Sequence, residues 1–182
     1  QTMREKLRVG VIGAGRWSQR AHLPGYVGSP LCDLVAICDL HEDLAKDAAK
    51  KFSIPDVTTD YEKILQREDI DVIDVVTRAG DQHDKTHEIL TFQAIEAGKH
   101  VLVEKPVCHD YKDVIRAQEL ADSKGLKTKV GLTFRYAPAV QYMMSLVQEG
   151  FIGEPFVFNG YEQNSQWLDP QYPMDKRIHR EY

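Results

Sequence analysis

Short apolar runs alternate along this chain with longer stretches in which apolar residues return every three or four positions. Leu7 to Ile12, Asp33 to Asp39, Val57 to Thr59, Val72 to Val76, His100 to Glu104 and Thr128 to Thr133 read as strands. Glu42 to Phe52 sets Leu44, Ala45, Ala48, Ala49 and Phe52 on one helical face. A helix also begins near Arg16, and Pro24 within it predicts a kink or a break, because proline has no N–H to donate. Tyr61 to Gln66 forms a short helix. Glu88 to Ala97 forms a longer one that stops at Gly98, and Asp110 to Lys124 stops at Gly125.

Strands alternating with helices, with nearly continuous apolar strand interiors, imply a parallel sheet covered on both faces. The expected fold is therefore α/β: a Rossmann-type, doubly wound parallel sheet with strand order 3-2-1-4-5-6. Past Thr133 the pattern changes. Ala139 to Gln148 reads as a helix closed by Gly150, Pro155 to Tyr161 reads as a strand, and Gln163 to Tyr182 is polar and aperiodic. A lone strand is not stable in water. The expectation is a nucleotide-binding domain over residues 1–134, with residues 135–182 the beginning of an incomplete C-terminal substrate and oligomerisation domain.

The chemistry gathers at the end of the first strand, where Gly13-Ala14-Gly15-Arg16-Trp17-Ser18 turns into the helix. A strand, a glycine turn and a helix start present backbone N–H groups to a diphosphate. Gly13 supplies the tight turn and Gly15 the close approach, while Ser18 stands where the fingerprint has its third glycine. Arg16 and Trp17 either cover the diphosphate or pack at the surface. Asp39 ends the second strand and suits the two hydroxyls of an adenosine ribose, although it could instead cap the helix that follows. Leu40 and His41 come next, so no arginine is at hand for a 2′-phosphate. A carboxylate ~4 Å from a phosphate charge costs about 4 kcal/mol at an effective dielectric of ~20. Half of that is already more than about tenfold in affinity, so NAD is expected rather than NADP.

Composition narrows the class. At 182 residues and 42% hydrophobic, the chain can bury a core. A net charge of −5 argues against non-specific nucleic-acid or anionic-membrane binding. Three cysteines (Cys32, Cys38, Cys108) without C-x-x-C spacing fit reduced thiols better than a disulfide framework. No run suits a membrane span or a signal peptide, so a cytoplasmic protein is expected. His83 and His87 stand four residues apart, but the acid between them is Asp84 and no third ligand is evident, so no metal is expected.

Glu104-Lys105-Pro106 closes the fifth strand, at the sheet edge where ligands of such folds lie. An ammonium at Lys105 could hydrogen-bond a substrate oxygen and stabilise a developing alkoxide, or relay a proton; it could equally be a solvated lysine before a proline turn. Gly13-Ala14-Gly15-Arg16-Trp17, Asp39, Ala97-Gly98-Lys99-His100-Val101 running into Glu104-Lys105-Pro106, and Phe134-Arg135-Tyr136-Ala137-Pro138 together resemble the glucose–fructose oxidoreductase/inositol dehydrogenase/rhizopine catabolism family. Ile152-Gly153-Glu154-Pro155 looks like that family's passage into its second domain.

The resemblance implies an NAD(P)-dependent oxidoreductase acting on a sugar, a cyclitol or a related polyol, with Lys105 as the catalytic lysine. Thr77 and His87 match the family, although the loop between them is longer than its usual Thr-Pro-Asn turn. The family's Asp and His on a later helix have no counterpart before Tyr182. Family members associate through the second-domain sheet, which implies a homo-oligomer for the full-length form. The candidate cofactor-binding residues are Gly13, Gly15, Arg16, Trp17, Asp39, Thr77, His87 and Glu104. Lys105, Arg135 and Tyr136 are candidates for substrate, the last two with packing at the domain junction as the alternative. Two readings follow: hydride transfer between a polyol and nicotinamide, with little turnover from the 182 residues alone, or a nucleotide-binding module or sensor without turnover.

Overall fold

A computed structural model describes residues 6–78 and 85–161. Six parallel strands form one sheet in the order β3-β2-β1-β4-β5-β6, as the alternating pattern predicts. They are β1 (Leu7–Ile12), β2 (Cys32–Cys38), β3 (Asp56–Thr58), β4 (Val72–Val75), β5 (His100–Val103) and β6 (Thr128–Val130). The helices are α1 (Leu23–Val27), α2 (Glu42–Phe52), α3 (Tyr61–Leu65), α4 (Thr86–Glu96), α5 (Tyr111–Ser123) and α6 (Pro138–Gln148). The chain divides after Gly131 into two units.

Successive side chains of a strand point to opposite faces, and the first unit accordingly has two cores. Val9, Val11, Ile37 and Val76 pack with Leu23 of α1 and with Ala45, Ala48 and Ala49 of α2. Ile12, Ile73, Val75, Val101 and Val103 pack on the other face with Ile64, Leu90, Ala94, Ile95 and Ala121 of α3, α4 and α5. Each large aliphatic side chain buried this completely contributes about 1.5–3 kcal/mol. At the N-terminal edge, the Arg8 guanidinium forks onto Asp71 at 2.8 and 3.0 Å, tying β1 to the start of β4. That pairing holds the Asp71 carboxyl down at about 2.

The irregularity expected at Pro24 is present: Ser18–His22 form a wider π turn, in which the Leu23 N–H donates to the Ser18 carbonyl, and α1 restarts at Leu23 with Pro24 in its first turn, where a missing N–H costs no intrahelical bond. Two elements differ from the pattern's prediction. Residues 155–161 are not a strand: among the described residues no neighbour pairs with them, and Phe156, Phe158 and Tyr161 are exposed. Extended backbone without a ladder has no hydrogen-bonding gain to hold it. Strand β6 is also shorter than expected, since the ladder closes with the Gly131 N–H on the Val103 carbonyl at 2.8 Å. The next turn, Thr133–Tyr136, is a 3₁₀ helix leading into α6. Cys32, Cys38 and Cys108 are free thiols, and burial pushes Cys38 up to about 12 and Cys108 up to about 11.

Gly10 sits under α3. A Cβ there would lie 2.7 Å from Ile64 Cγ2 and 2.9 Å from Ile70 Cδ1. Gly10→Ala is therefore expected to destabilise the first unit by about 1–3 kcal/mol in urea unfolding, the usual range for overpacking. An unchanged midpoint would show that the two isoleucines can yield.

Candidate dinucleotide and catalytic site

The C-terminal ends of β1, β2, β4 and β5 carry most of the predicted site residues. Gly13 leaves β1 at φ +115°, and its N–H donates to the Cys38 carbonyl at 2.7 Å. A Cβ at residue 13 would meet the Val76 carbonyl and stand 2.9 Å from Thr77 N. Glycine is thus required twice, for backbone conformation and for space. Gly15 is different: a Cβ there meets nothing within 4 Å, so the turn is open on the side a ligand would approach. The first N–H groups of the following helix have no intrahelical acceptor. Ser18, in the place of a third glycine, is fully buried, and its Oγ has no hydrogen-bond partner among the described residues.

Asp39 reaches back to this turn. Its Oδ2 accepts from the Ala14 N–H at 2.8 Å and its Oδ1 from the His41 N–H at 2.9 Å. The carboxylate does not cap α2: the N-cap there is His41, with no side-chain capping bond. Each oxygen keeps a further acceptor direction, so a half-buried, oriented carboxylate stands beside the glycine turn. Arg16 is exposed, and Trp17 is 45% exposed with its indole N–H donating to Glu104 Oε1 at 2.9 Å. The Trp17 indole therefore bridges the helix start to the end of β5.

Thr77 follows β4, with its Oγ1 buried and without a hydrogen-bond partner among the described residues. A buried, unmet hydroxyl next to the glycine turn suits a polar ligand group. His87 is placed otherwise. Its Nε2 lies 2.9 Å from the Thr77 carbonyl and its Nδ1 2.8 Å from the Pro106 carbonyl. The ring lies between the end of β4 and the turn after β5, and a neutral imidazole donates to one of the two carbonyls only. His83, the other half of the histidine pair, lies outside the described residues. Among the described residues no cluster of three His, Cys, Asp or Glu side chains is arranged for a metal.

Lys105 is exposed at the end of β5, and its peptide bond to Pro106 is cis. Its N–H donates to Glu104 Oε2 at 3.1 Å. Glu104 itself is buried, with Oε1 shared by Trp17 and by His22 Nε2 at 3.1 Å. His22 Nδ1 in turn meets Asp74 Oδ2 at 2.8 Å. Asp74 is wholly buried in the middle of β4. Burial lowers His22, but the hydrogen bonds and charges of Asp74 and Glu104 outweigh it and raise the ring above its ordinary value of 6.5. Burial pushes the Asp74 carboxyl up, and the His22 contact offsets part of that rise. Burial, followed by the Asp74 charge, drives the nearby Tyr26 hydroxyl far above the usual phenol range.

This buried group was not among the sequence-derived candidates beyond Glu104 and Trp17. One signal was available: Asp74 interrupts Val72-Ile73-Asp74-Val75-Val76, and a carboxylate inside a strand covered on both faces must find partners. The Ala97-Gly98-Lys99-His100 part of the signature proves structural. Gly98 closes α4 at φ +76°, Lys99 Nζ donates to the Ile70 carbonyl at 2.9 Å, and His100 Nδ1 accepts the Lys127 N–H at 3.0 Å. Arg135 and Tyr136 belong to the second unit, in the 3₁₀ turn before α6. No described helix is long and apolar enough to cross a membrane.

The model of an oxidoreductase family with an NAD-binding Rossmann fold matches residues 7–132. Levoglucosan dehydrogenase of Pseudarthrobacter phenanthrenivorans is 28% identical over 97% of this chain and 46% of its own length. The dTDP-3,4-didehydro-2,6-dideoxy-alpha-D-glucose 3-reductase of Actinomadura kijaniata is 32% identical over 81% of this chain and 43% of its own. Among solved structures, the scyllo-inositol dehydrogenase from Lactobacillus casei with bound NAD(H) and scyllo-inositol aligns at a TM-score of 0.73 and 26% identity, covering 82% of this chain and 43% of that one. The 3-ketoreductase KijD10 from Actinomadura kijaniata in complex with NADP aligns at 0.72 and 32% identity, covering 82% and 46%. The chain spans less than half the length of these relatives.

Gly131 packs against Glu104: a Cβ there would stand 2.6 Å from Oε1 and 3.1 Å from the carboxyl carbon. Gly131→Ala is expected to displace the Glu104 carboxylate from Trp17 and His22 and to lower stability by about 1–3 kcal/mol. Urea unfolding measures the loss, and a midpoint equal to the parent's would mean that the side chain has slack.

Proposed function

The chain belongs to the oxidoreductase family with an NAD-binding Rossmann fold, and from that premise we propose that it binds NAD and serves hydride transfer between a sugar, cyclitol or related polyol and nicotinamide. The observation that carries this reading is the contact of the Asp39 carboxylate with the Ala14 N–H, inside the glycine turn. It sets an acid for ribose hydroxyls beside the backbone that would receive a diphosphate. Gly13, Gly15, Arg16 and Trp17 line the diphosphate side, and the unmet Thr77 hydroxyl is a donor or acceptor for the nicotinamide half. His87 and Glu104 act by holding the ends of β4 and β5 in place. Asp39 favours NAD over NADP, because a 2′-phosphate would meet a fixed like charge.

When bound, nicotinamide supplies a carbon that accepts or returns hydride; the chain's own part is to bind and polarise. Lys105 donates a hydrogen bond to the substrate oxygen and stabilises negative charge that develops there as hydride leaves or arrives. The substrate class follows the relatives, whose names include levoglucosan, a dTDP-sugar and scyllo-inositol. Each offers ring hydroxyls or a ring ketone. Arg135 and Tyr136 are candidates for the substrate side, at the beginning of a second domain from residue 135. The proposal extends to a homo-oligomer, as the family resemblance implies, and to a cytoplasmic location, in keeping with three cysteines without C-x-x-C spacing.

Calorimetry on the chain is expected to show NAD binding, with NADP weaker by at least about tenfold. Gly15→Ala should leave unfolding unchanged and weaken NAD by more than about tenfold, since its methyl group occupies only the ligand's space. Equal affinity for the two nucleotides would remove the role given to Asp39. In the full-length protein, Lys105→Ala should lower kcat/KM by about 100-fold or more. A fall of less than about threefold would remove Lys105 from the reaction.

A further inference from the structure

The ring of His22 lies between two buried carboxylates that come from different strands. Asp74 faces Nδ1 from β4 and Glu104 faces Nε2 from β5. Tyr26, one turn further along the same helix, adds a hydroxyl beside Asp74. A neutral imidazole can donate from one nitrogen only, which would leave its other lone pair against a carboxylate oxygen. A protonated ring donates at both positions and halves the unpaired negative charge of the site. Bulk water does not reach these groups, since Asp74 is wholly buried and Glu104 nearly so.

Glu104 is also the residue that precedes Lys105. Its Oε1 is held by Trp17 and His22, its Oε2 accepts the Lys105 N–H, and Gly131 packs directly against the carboxylate. We infer that His22 is a positioning residue, whose imidazolium locks Asp74 to Glu104 and so fixes the strand end from which Lys105 projects. The inference rests on the role given to Lys105 above. It extends the machinery to a histidine that need touch neither nucleotide nor substrate.

The neighbouring carboxylates raise the ring above 6.5. The charged bridge is therefore complete below the unfolded value and is lost as pH rises through the higher folded one.

Two measurements test this separately. Nitrogen-15 spectra of the unsubstituted chain, with His22 assigned by its absence in His22→Gln, report the ring's state whatever the activity. Both ring nitrogens are expected to be protonated at about pH 6.5, where a free imidazole is half titrated, and to lose a proton only above it; a ring with one bare nitrogen there overturns the bridge. In the full-length protein, His22→Gln should lower kcat about 100-fold while the Kd for NAD stays within about threefold, because the error it introduces lies at Lys105 and not at the nucleotide. An unchanged kcat, or a kcat and an NAD affinity that collapse together, overturns the positioning role. Failure of the unsubstituted protein to bind NAD would instead overturn the proposed function, and the ring spectra would still decide the bridge.

Discussion

The closest constraint in the first unit is the approach of two strands at their C-terminal ends. Residue 13 has no room for a Cβ because the backbone of Val76 and Thr77 occupies that space, and it must also adopt φ +115°. The turn out of β1 therefore runs tight against the end of β4. From this contact the helix start is set over the sheet edge, and the Ala14 N–H is turned toward the end of β2, where the Asp39 carboxylate receives it. Had the strands been further apart, the acid and the amides would face different spaces. The facing of this acid and these amides is thus a consequence of backbone packing.

A second constraint is electrostatic. Asp74 and Glu104 are both buried on the α1 side of the sheet edge, and an unpaired buried carboxylate is expensive. The fold meets part of the cost with one ring, one indole and one backbone N–H, while Asp74 Oδ1 has no hydrogen-bond partner among the described residues. Such a network adds little net stability compared with apolar packing. What it adds is a defined geometry: the helix start, β4 and β5 are cross-linked at the level where Lys105 leaves the sheet. The His87 ring does the same on the other side, between Thr77 and Pro106. Two histidines are therefore engaged in holding strand ends.

Membership of the oxidoreductase family accounts for the fold, while the particular side-chain partners are properties of this chain. The signature around Ala97 and Glu104 divides into two tasks. Lys99 and His100 serve the loops at the N-terminal edge of the sheet, and Glu104 with Lys105 serves the opposite edge. A motif that looks continuous along the chain spans the whole length of β5, so its two ends cannot share one function.

The alternation of apolar runs and helical faces determined a parallel sheet covered on both sides, because burial on two faces leaves a pattern that each strand carries by itself, and the order followed from the fold class that pattern suits. The glycine turn and Asp39 were legible for a related reason: a tight turn and an acid at the next strand end are local features at a known offset. The His22 network was not legible. His22 and Asp74 are 52 positions apart and His22 and Glu104 are 82, and nothing in a helical segment announces which strand its histidine will meet. Residues 155–161 show the opposite limit, since strand-forming side chains do not make a strand until another backbone accepts the hydrogen bonds. What composition and spacing can specify is each element's own preference; which charges meet in the interior is decided only when the elements pack.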